Sequence, residues 1–278
     1  MSRRAIAPLE YTRRLWMRLW VGAVLAFLYV PLLALIIFSF NDSKRNIEWK
    51  GFTFKYYEKA FANSSLMEAL FNSLTIAFFA TLLSVILGAL TAILLWRFRF
   101  TGKAGLEGTM TMPIVVPEIC MGVAMLIFFN GIGWPQNLPW PFSLSQIIIA
   151  HATFCFPFVA MVVRARLASF NRQQEEAAKD LGATEIQAFR DVLLPHMKPG
   201  LIAGALLAFT LSLDDFVITF FTSGPETVTF PIKVYAMVRF SVTPEVNAVS
   251  TLLIILTIIL TAIAMKLQNA AALGASPK

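Results

Sequence analysis

A stretch of 45 residues without a charged side chain constrains this fold more than any other feature. Between Ile119 and Val163 the sequence contains no Asp, Glu, Lys or Arg. A helix crosses a bilayer with about 20 apolar residues, so this stretch is too long for one span and predicts two. The chain must turn between them, and the sequence GIGWP, from Gly131 to Pro135, is typical of a turn.

Apolar runs of spanning length recur along the whole chain. Hydrophobic residues make up 58% of the 278 residues and charged residues only 14%, which excludes an ordinary soluble domain. We therefore predict an all-α polytopic membrane protein with a transmembrane domain over residues 20–268. Its six predicted transmembrane helices cover residues 20–40, 69–96, 108–130, 143–163, 201–221 and 248–265.

The distribution of basic residues predicts the orientation. With the N terminus in the cytoplasm, 16 of the 23 Lys and Arg residues lie on the inner side and seven on the outer side. The positive-inside rule then places the N-terminal segment 1–19, the tail 269–278 and the polar segment 171–195 in the cytoplasm. The first apolar run is longer than that of a signal peptide and predicts a retained anchor. The net charge of +7 therefore needs no nucleic acid partner.

Residues 171–195, named here the coupling hairpin, have the pattern of two short helices joined at Gly182. Pro195 is expected to end the second helix. Capping signals predict where each helix begins, Asn171 with Gln174 and Thr184 with Gln187. An amphipathic connector lying on the inner leaflet is the alternative, although such helices usually carry more Lys and Arg.

The coupling hairpin resembles the EAA loop of the permease subunits of ABC importers. The resemblance rests on Glu176-Ala177-Ala178, on Gly182 four residues later, and on Val192-x-Leu194-Pro195, with Val192 in place of the usual isoleucine. It implies the architecture of a type I importer permease, in which this loop couples the membrane helices to an ATPase subunit. The coupling residues that it implies are Glu175, Glu176, Ala177, Ala178, Gly182, Val192, Leu194 and Pro195.

Further segments over residues 15–267 look like those of the spermidine/putrescine importers, most of all the second permease of the pair. They are Ser39-Phe40-Asn41, Asn72-Ser73-Leu74, Leu211-Ser212-Leu213-Asp214-Asp215, Ser223-Gly224-Pro225 and Pro244-Glu245-Val246-Asn247-Ala248. The resemblance implies a bacterial inner-membrane subunit that pairs with a related permease, two ATPase subunits and a periplasmic binding protein. Membrane lipid surrounds it, and ATP and Mg would bind to the ATPase, leaving this chain without a cofactor.

Three carboxylates within the apolar segments are candidates for a substrate path, because an ionisable group at membrane depth is costly and usually functional. They are Asp214, Asp215 and Glu118, and the prolines at 113 and 117 predict a kink or break beside Glu118. Adjacent helical residues point about 100° apart, so only one of the two aspartates should face a path. Nearby aromatic rings could attract an ammonium group, namely Phe154, Phe156 and Phe209. A role in helix packing or gating is the alternative, because acidic residues near this point of the fifth span also occur in similar importers that carry oxyanions.

Other function classes find less support. An intramembrane enzyme could use Asp214 and Glu118 as paired acids, but no cofactor, metal or nucleophile pattern accompanies them. An ion-gradient carrier would leave the coupling hairpin without a purpose, and the chain has no detectable internal repeat. The only histidines are His151, within the fourth predicted span, and His196, well beyond it, which are too far apart to form a metal site within one subunit. We predict no catalytic residue, and an importer of another small solute stays open.

Overall fold

A computed structural model describes residues 15–43, 48–135, 138–240 and 244–273. The predicted cytoplasmic ends therefore lie partly outside the described residues, at 1–14 and 274–278. In chain order the described helices are α1 (Leu15–Phe38), α2 (Lys55–Ala62), α3 (Ser64–Arg97), α4 (Lys103–Val115), α5 (Glu118–Gly131), α6 (Ser145–Leu167), α7 (Gln173–Asp180), α8 (Glu185–Ala188), α9 (Leu194–Leu213), α10 (Val217–Thr222), α11 (Phe230–Phe240) and α12 (Pro244–Leu273).

The helices confirm an all-α membrane fold. Five segments of the described chain are long and apolar enough to cross a bilayer, and the bent pair of α4 and α5 would make a sixth. The predicted spans 20–40, 69–96, 143–163 and 248–265 overlap α1, α3, α6 and α12. The chain divides into two compact units, Met1–Ala62 with Met237–Ile254, and Asn63–Ala236 with Ile255–Lys278.

In the first unit, the loop after α1 is held by side chains rather than by a sheet. Asn41 is fully buried, and its amide donates to the carbonyl of Glu48 at 2.7 Å and accepts from the N–H of Lys50 at 2.8 Å. The ring of Phe40 stacks on Phe52 at 5.2 Å between centroids. No residue of α1 itself is buried, as expected of a helix that faces lipid or another subunit.

In the second unit, α3, α6 and α9 pack closely because glycines let the helix backbones approach. A Cβ added to Gly88 on α3 would lie 2.8 Å from the Cβ of Val159 on α6. A Cβ added to Gly204 on α9 would lie 2.9 Å from Cγ1 of the same valine. Both distances are shorter than carbon atoms tolerate, so these positions admit no side chain without a shift of the neighbouring helix.

The third predicted span, 108–130, is broken where the proline pair indicated. Helix α4 ends at Val115, α5 begins at Glu118, and the two meet at 112°. Val116 is extended, with φ −74° and ψ 132°, because the ring of a following proline excludes the helical conformation. The kink or break predicted beside Glu118 is therefore confirmed, and the bent pair α4 and α5 together cover the predicted third span.

The fifth predicted span, 201–221, is displaced, and Pro195 does not end the preceding helix. A helical segment runs without interruption from Glu185 to Leu213 and passes through a π-helical turn at Phe189–Leu193. In this turn the N–H of Leu194 bonds to the carbonyl of Phe189, five residues back, just before the proline enters at the start of α9. The wider turn accommodates the missing N–H of Pro195, which explains why the helix continues.

Candidate functional site

The coupling hairpin contains α7 and α8, joined by a turn at Gly182, and extends through a π-helical turn to the start of α9. Gly182 has φ +93°, a left-handed conformation that favours glycine, and its N–H donates to the carbonyl of Lys179 at 2.9 Å. Thr184 and Gln187 form the predicted capping box at the start of α8. The predicted cap at Asn171 is displaced by one residue, because Arg172 occupies that position while the Asn171 side chain accepts from the N–H of Gln173.

The second arm of the hairpin continues directly into the membrane helix. The segment from Glu185 to Leu213 has 29 residues, which at 1.5 Å per residue corresponds to about 44 Å. Val192 and Leu194 are half-buried along this segment, and Pro195 is exposed. The hairpin and the end of α9 at Leu213 are therefore parts of one continuous helical element.

Four charged side chains, named here the Arg97 network, fix the hairpin to the end of α3. Arg97 contacts the carboxylate of Glu175 at 2.8 Å and that of Glu185 at 3.5 Å. Lys179 contacts Glu185 at 2.6 Å and Glu175 at 3.3 Å. The hydrogen bond that Lys179 donates to Glu185 favours the ammonium form and raises the pKa of Lys179 above its ordinary value. Both arms of the hairpin are thus paired with the same guanidinium.

The Arg97 network separates the predicted coupling residues into two groups. Glu175 is buried among partners in its own chain, whereas Glu176, Ala177 and Gly182 are exposed and Ala178 is half-buried. Leu181 and Ile186, at the turn, are 90% and 78% exposed. The outer face of the hairpin therefore presents Glu176 and two bare aliphatic side chains, while Glu175 faces inward.

A second set of contacts attaches the base of the hairpin to neighbouring helices. The guanidinium of Arg172 lies 4.5 Å from the ring centre of Trp96 and donates to the carbonyl of that residue at 3.0 Å. Arg166, near the end of α6, donates to the carbonyl of His196 on α9 at 3.1 Å. The hairpin is consequently held on the end of α3, and α6 is bonded to α9 one residue beyond the hairpin.

A short irregular segment, Asp214–Phe216, separates α9 from α10 and is named here the acidic break. The carboxylate of Asp215 turns inward and accepts from the N–H and the hydroxyl of Thr219 at 2.8 and 2.9 Å. His151 Nε2 lies 2.8 Å from the same hydroxyl and 3.3 Å from the Asp215 carboxylate. Nδ1 of His151 is hydrogen-bonded to the hydroxyl of Ser212, also at 2.8 Å. Asp215 therefore joins α6, α9 and α10.

Asp214 points away from this network. Its side chain is exposed, and it makes no ion pair with a Lys or Arg of the described chain. Helix α5 packs against α10, the helix that follows the acidic break, and Glu118 at the start of α5 is exposed. The structure thus brings Asp214 and Glu118 to one region, and it separates Asp215 from them by burial.

The three predicted aromatic residues do not share one surface. Phe154 is buried in the main apolar core, where its ring contacts Phe158 at 5.5 Å between centroids. Phe156 packs against a second cluster that includes Leu95, and Phe209 is half-buried on α9. The residues that alternate along α6 point to different neighbours, which their spacing alone did not reveal.

Sequence reasoning did not identify two residues around which these contacts are organised. Arg97, at the end of α3, and His151, within α6, were not among the predicted site residues. The signal for His151 was a polar side chain within a charge-free stretch, where burial requires hydrogen-bond partners. Among the described residues, no group of three or more His, Cys, Asp and Glu could hold a metal ion.

Comparison with known proteins identifies a family and related transport proteins. The family model of the binding-protein-dependent transport system inner membrane component matches residues 84–272. The spermidine/putrescine transport system permease protein PotC of Haemophilus influenzae is 41% identical over 237 residues, which cover 85% of this chain and 90% of that protein. The putrescine transport system permease protein PotI of Escherichia coli K12 is 43% identical over 233 residues, 82% of each chain.

A solved structure shows the same fold. One chain of a bacterial ABC transporter involved in the import of the acidic polysaccharide alginate matches with a TM-score of 0.70 at 19% identity. The match covers 95% of this chain and 99% of that one. At this identity the likeness establishes the fold and leaves the transported molecule to other arguments.

Proposed function

This chain belongs to the family of binding-protein-dependent transport system inner membrane components, and we propose that it is one permease subunit of an ATP-driven importer of polyamines. The observation that carries the proposal is the continuous helical segment from Glu185 to Leu213. One end of this segment lies in the exposed hairpin, and the other end lies at the acidic break. A displacement of the hairpin therefore moves the backbone next to Asp214.

The exposed face of the hairpin supports docking to a separate ATPase. Glu176 can pair with a basic residue of the partner, and Leu181 with Ile186 offers aliphatic surface for burial. Glu175 takes no part in this contact, because its carboxylate is occupied by Arg97 and Lys179. Two ATPase subunits would bind ATP and Mg and would drive this chain together with a related second permease.

The arrangement of charges supports a cationic substrate. The relatives PotC and PotI are named for spermidine and putrescine. Asp214 and Glu118 are exposed carboxylates in one region, without a basic partner in the described chain. A polyamine brings ammonium groups that offset the repulsion between two such carboxylates, whereas an oxyanion would add to it. A periplasmic binding protein would deliver the polyamine to the outer surface of the inner membrane, with both termini of this chain in the cytoplasm.

Copurification and uptake test the proposal together. We expect the wild-type chain to retain ATPase and second-permease subunits and to support uptake of labelled spermidine or putrescine in cells that lack only this subunit. Glu176→Arg and Gly182→Trp should lose the ATPase, whereas Glu58→Arg, at an exposed carboxylate of α2, should retain it.

Two results would refute the proposal. Retention of the ATPase by both hairpin variants would show that the hairpin is not the docking element. Uptake of sulfate in place of polyamines by the complete transporter would assign the chain to oxyanion import.

A further inference from the structure

A cavity of about 170 Å³ lies at the end of the second unit opposite to the coupling hairpin. Gln146, at the start of α6, lines it, while the other end of α6 lies beside the hairpin. The 23 residues of α6 place these two ends about 34 Å apart. The proposed orientation puts this outer cavity at the periplasmic surface.

The side chains of the outer cavity can accept hydrogen bonds from a cation. Glu226 contributes a carboxylate, is exposed, and makes no ion pair within the described chain. Ser143, Thr222 and Thr227 contribute hydroxyl oxygens, and Gln146 contributes an amide. None of the described residues that line the cavity is Lys, Arg or His. The lining therefore has a negative charge and no opposing positive one.

Internal hydrogen bonds use the donors of the loop that forms one wall. The N–H of Gly224 donates to the hydroxyl of Thr227 at 2.7 Å, and Pro225 has no N–H. Thr222 donates its hydroxyl proton to the carbonyl of Ile218 at 2.8 Å. These groups keep lone pairs available while their protons are already used. A sulfate or phosphate would be repelled by the Glu226 carboxylate, whereas an alkylammonium group, with a positive charge and three N–H donors, fits the lining.

We propose that the outer cavity binds one ammonium group of a polyamine before the molecule reaches the acidic break. This inference rests on the proposed function and adds a binding subsite centred on Glu226. Thr222 at the cavity is the last residue of α10, whose six residues span about 9 Å, and Asp214 lies three residues before that helix begins. A flexible chain that leaves the cavity therefore meets a second carboxylate within one short helix.

The test uses the complete transporter, with its binding protein, reconstituted in liposomes. Glu226→Gln removes the charge and retains the shape, and we expect it to lower the initial rate of spermidine uptake by about tenfold at subsaturating substrate. Glu226→Asp should recover most of the rate, because it restores the charge. Glu58→Gln, at an exposed carboxylate that does not line this cavity, should transport as the wild type does.

Two further measurements make each outcome decisive. Copurified ATPase and the thermal midpoint should be unchanged in Glu226→Gln, which separates loss of binding from misfolding. If Glu226→Gln transports at the wild-type rate, the subsite is refuted while the proposed function stands. If the variant weakens docking of the unloaded binding protein by the same factor as uptake, Glu226 is a protein contact, and the subsite is again refuted. Wild-type complex that imports no polyamine would refute both.

Discussion

Replacing Arg97 with glutamine tests how the coupling hairpin is held. The substitution removes the guanidinium that contacts Glu175 at 2.8 Å and Glu185 at 3.5 Å, and it leaves the apolar stem of the side chain largely in place. Glu175 then keeps only Lys179, at 3.3 Å, as a cationic partner. We expect the hairpin to detach from the end of α3 more often, while the transmembrane core stays folded.

The magnitude follows from the burial of the two partners. Removing one member of a buried ion pair costs about 3–5 kcal/mol, because the remaining charge stays uncompensated. The side chain of Glu175 is 9% exposed and that of Arg97 is 30% exposed, so water and Lys179 reduce this cost. We therefore expect about 1–3 kcal/mol, equivalent to about a 5- to 150-fold rise in the population of the open hairpin.

Hydrogen exchange of the α7 amides, measured in lipid nanodiscs, reports this opening directly. Exchange should accelerate in Arg97→Gln by the factor given above, and more ATP should be hydrolysed per polyamine imported. The double variant Arg97→Gln with Glu175→Gln should recover much of the protection, because no buried charge remains. Arg190→Gln is the matched control, since its ion pair with Asp191 is exposed on both sides and should change nothing measurable. Wild-type exchange rates in Arg97→Gln would refute the reasoning.

Two further predictions concern the second unit. Gly88→Ala should lower the free energy of unfolding by about 1–3 kcal/mol, because the new Cβ would lie 2.8 Å from Val159 Cβ. Gly105→Ala is the control, since open space surrounds that glycine and no loss of stability is expected. Equal thermal midpoints of Gly88→Ala and the wild type would contradict the prediction. Asp215→Ala should cost about 1–3 kcal/mol of stability through the lost bonds to Thr219, whereas Asp214→Ala should keep its thermal midpoint and lose polyamine uptake. The reverse pattern would show that Asp215, rather than Asp214, faces the path.

Local rules predicted the hairpin well because short-range chemistry dominates there. The capping box at Thr184 and the left-handed glycine at 182 involve residues close in sequence, and both are present. The effect of Pro195 was predicted wrongly for a related reason. Proline usually ends an α-helix because it lacks an N–H. Here a π-helical turn precedes Pro195 and makes that N–H unnecessary, and no residue pattern predicts such a turn.

Contacts between residues distant in the chain could not be predicted in the same way. Glu175 and Glu176 are equivalent in sequence, and only the position of Arg97, 78 residues earlier, makes one buried and the other exposed. His151 finds Ser212 and Thr219 more than 60 residues away. Such pairings depend on how α3, α6, α9 and α10 are packed against each other.

The sequence by itself determined a helical membrane protein with a capped polar hairpin, because hydrophobic length, charge distribution and capping are properties of neighbouring residues, and the resemblance of that hairpin to the EAA loop indicated the importer family. The tertiary structure decided which carboxylates are paired and which are open. The carboxylate of Asp215 is bonded to Thr219 beside His151, whereas the adjacent Asp214 is exposed. The physical reason is that a buried charge requires partners, and packing alone determines where those partners lie.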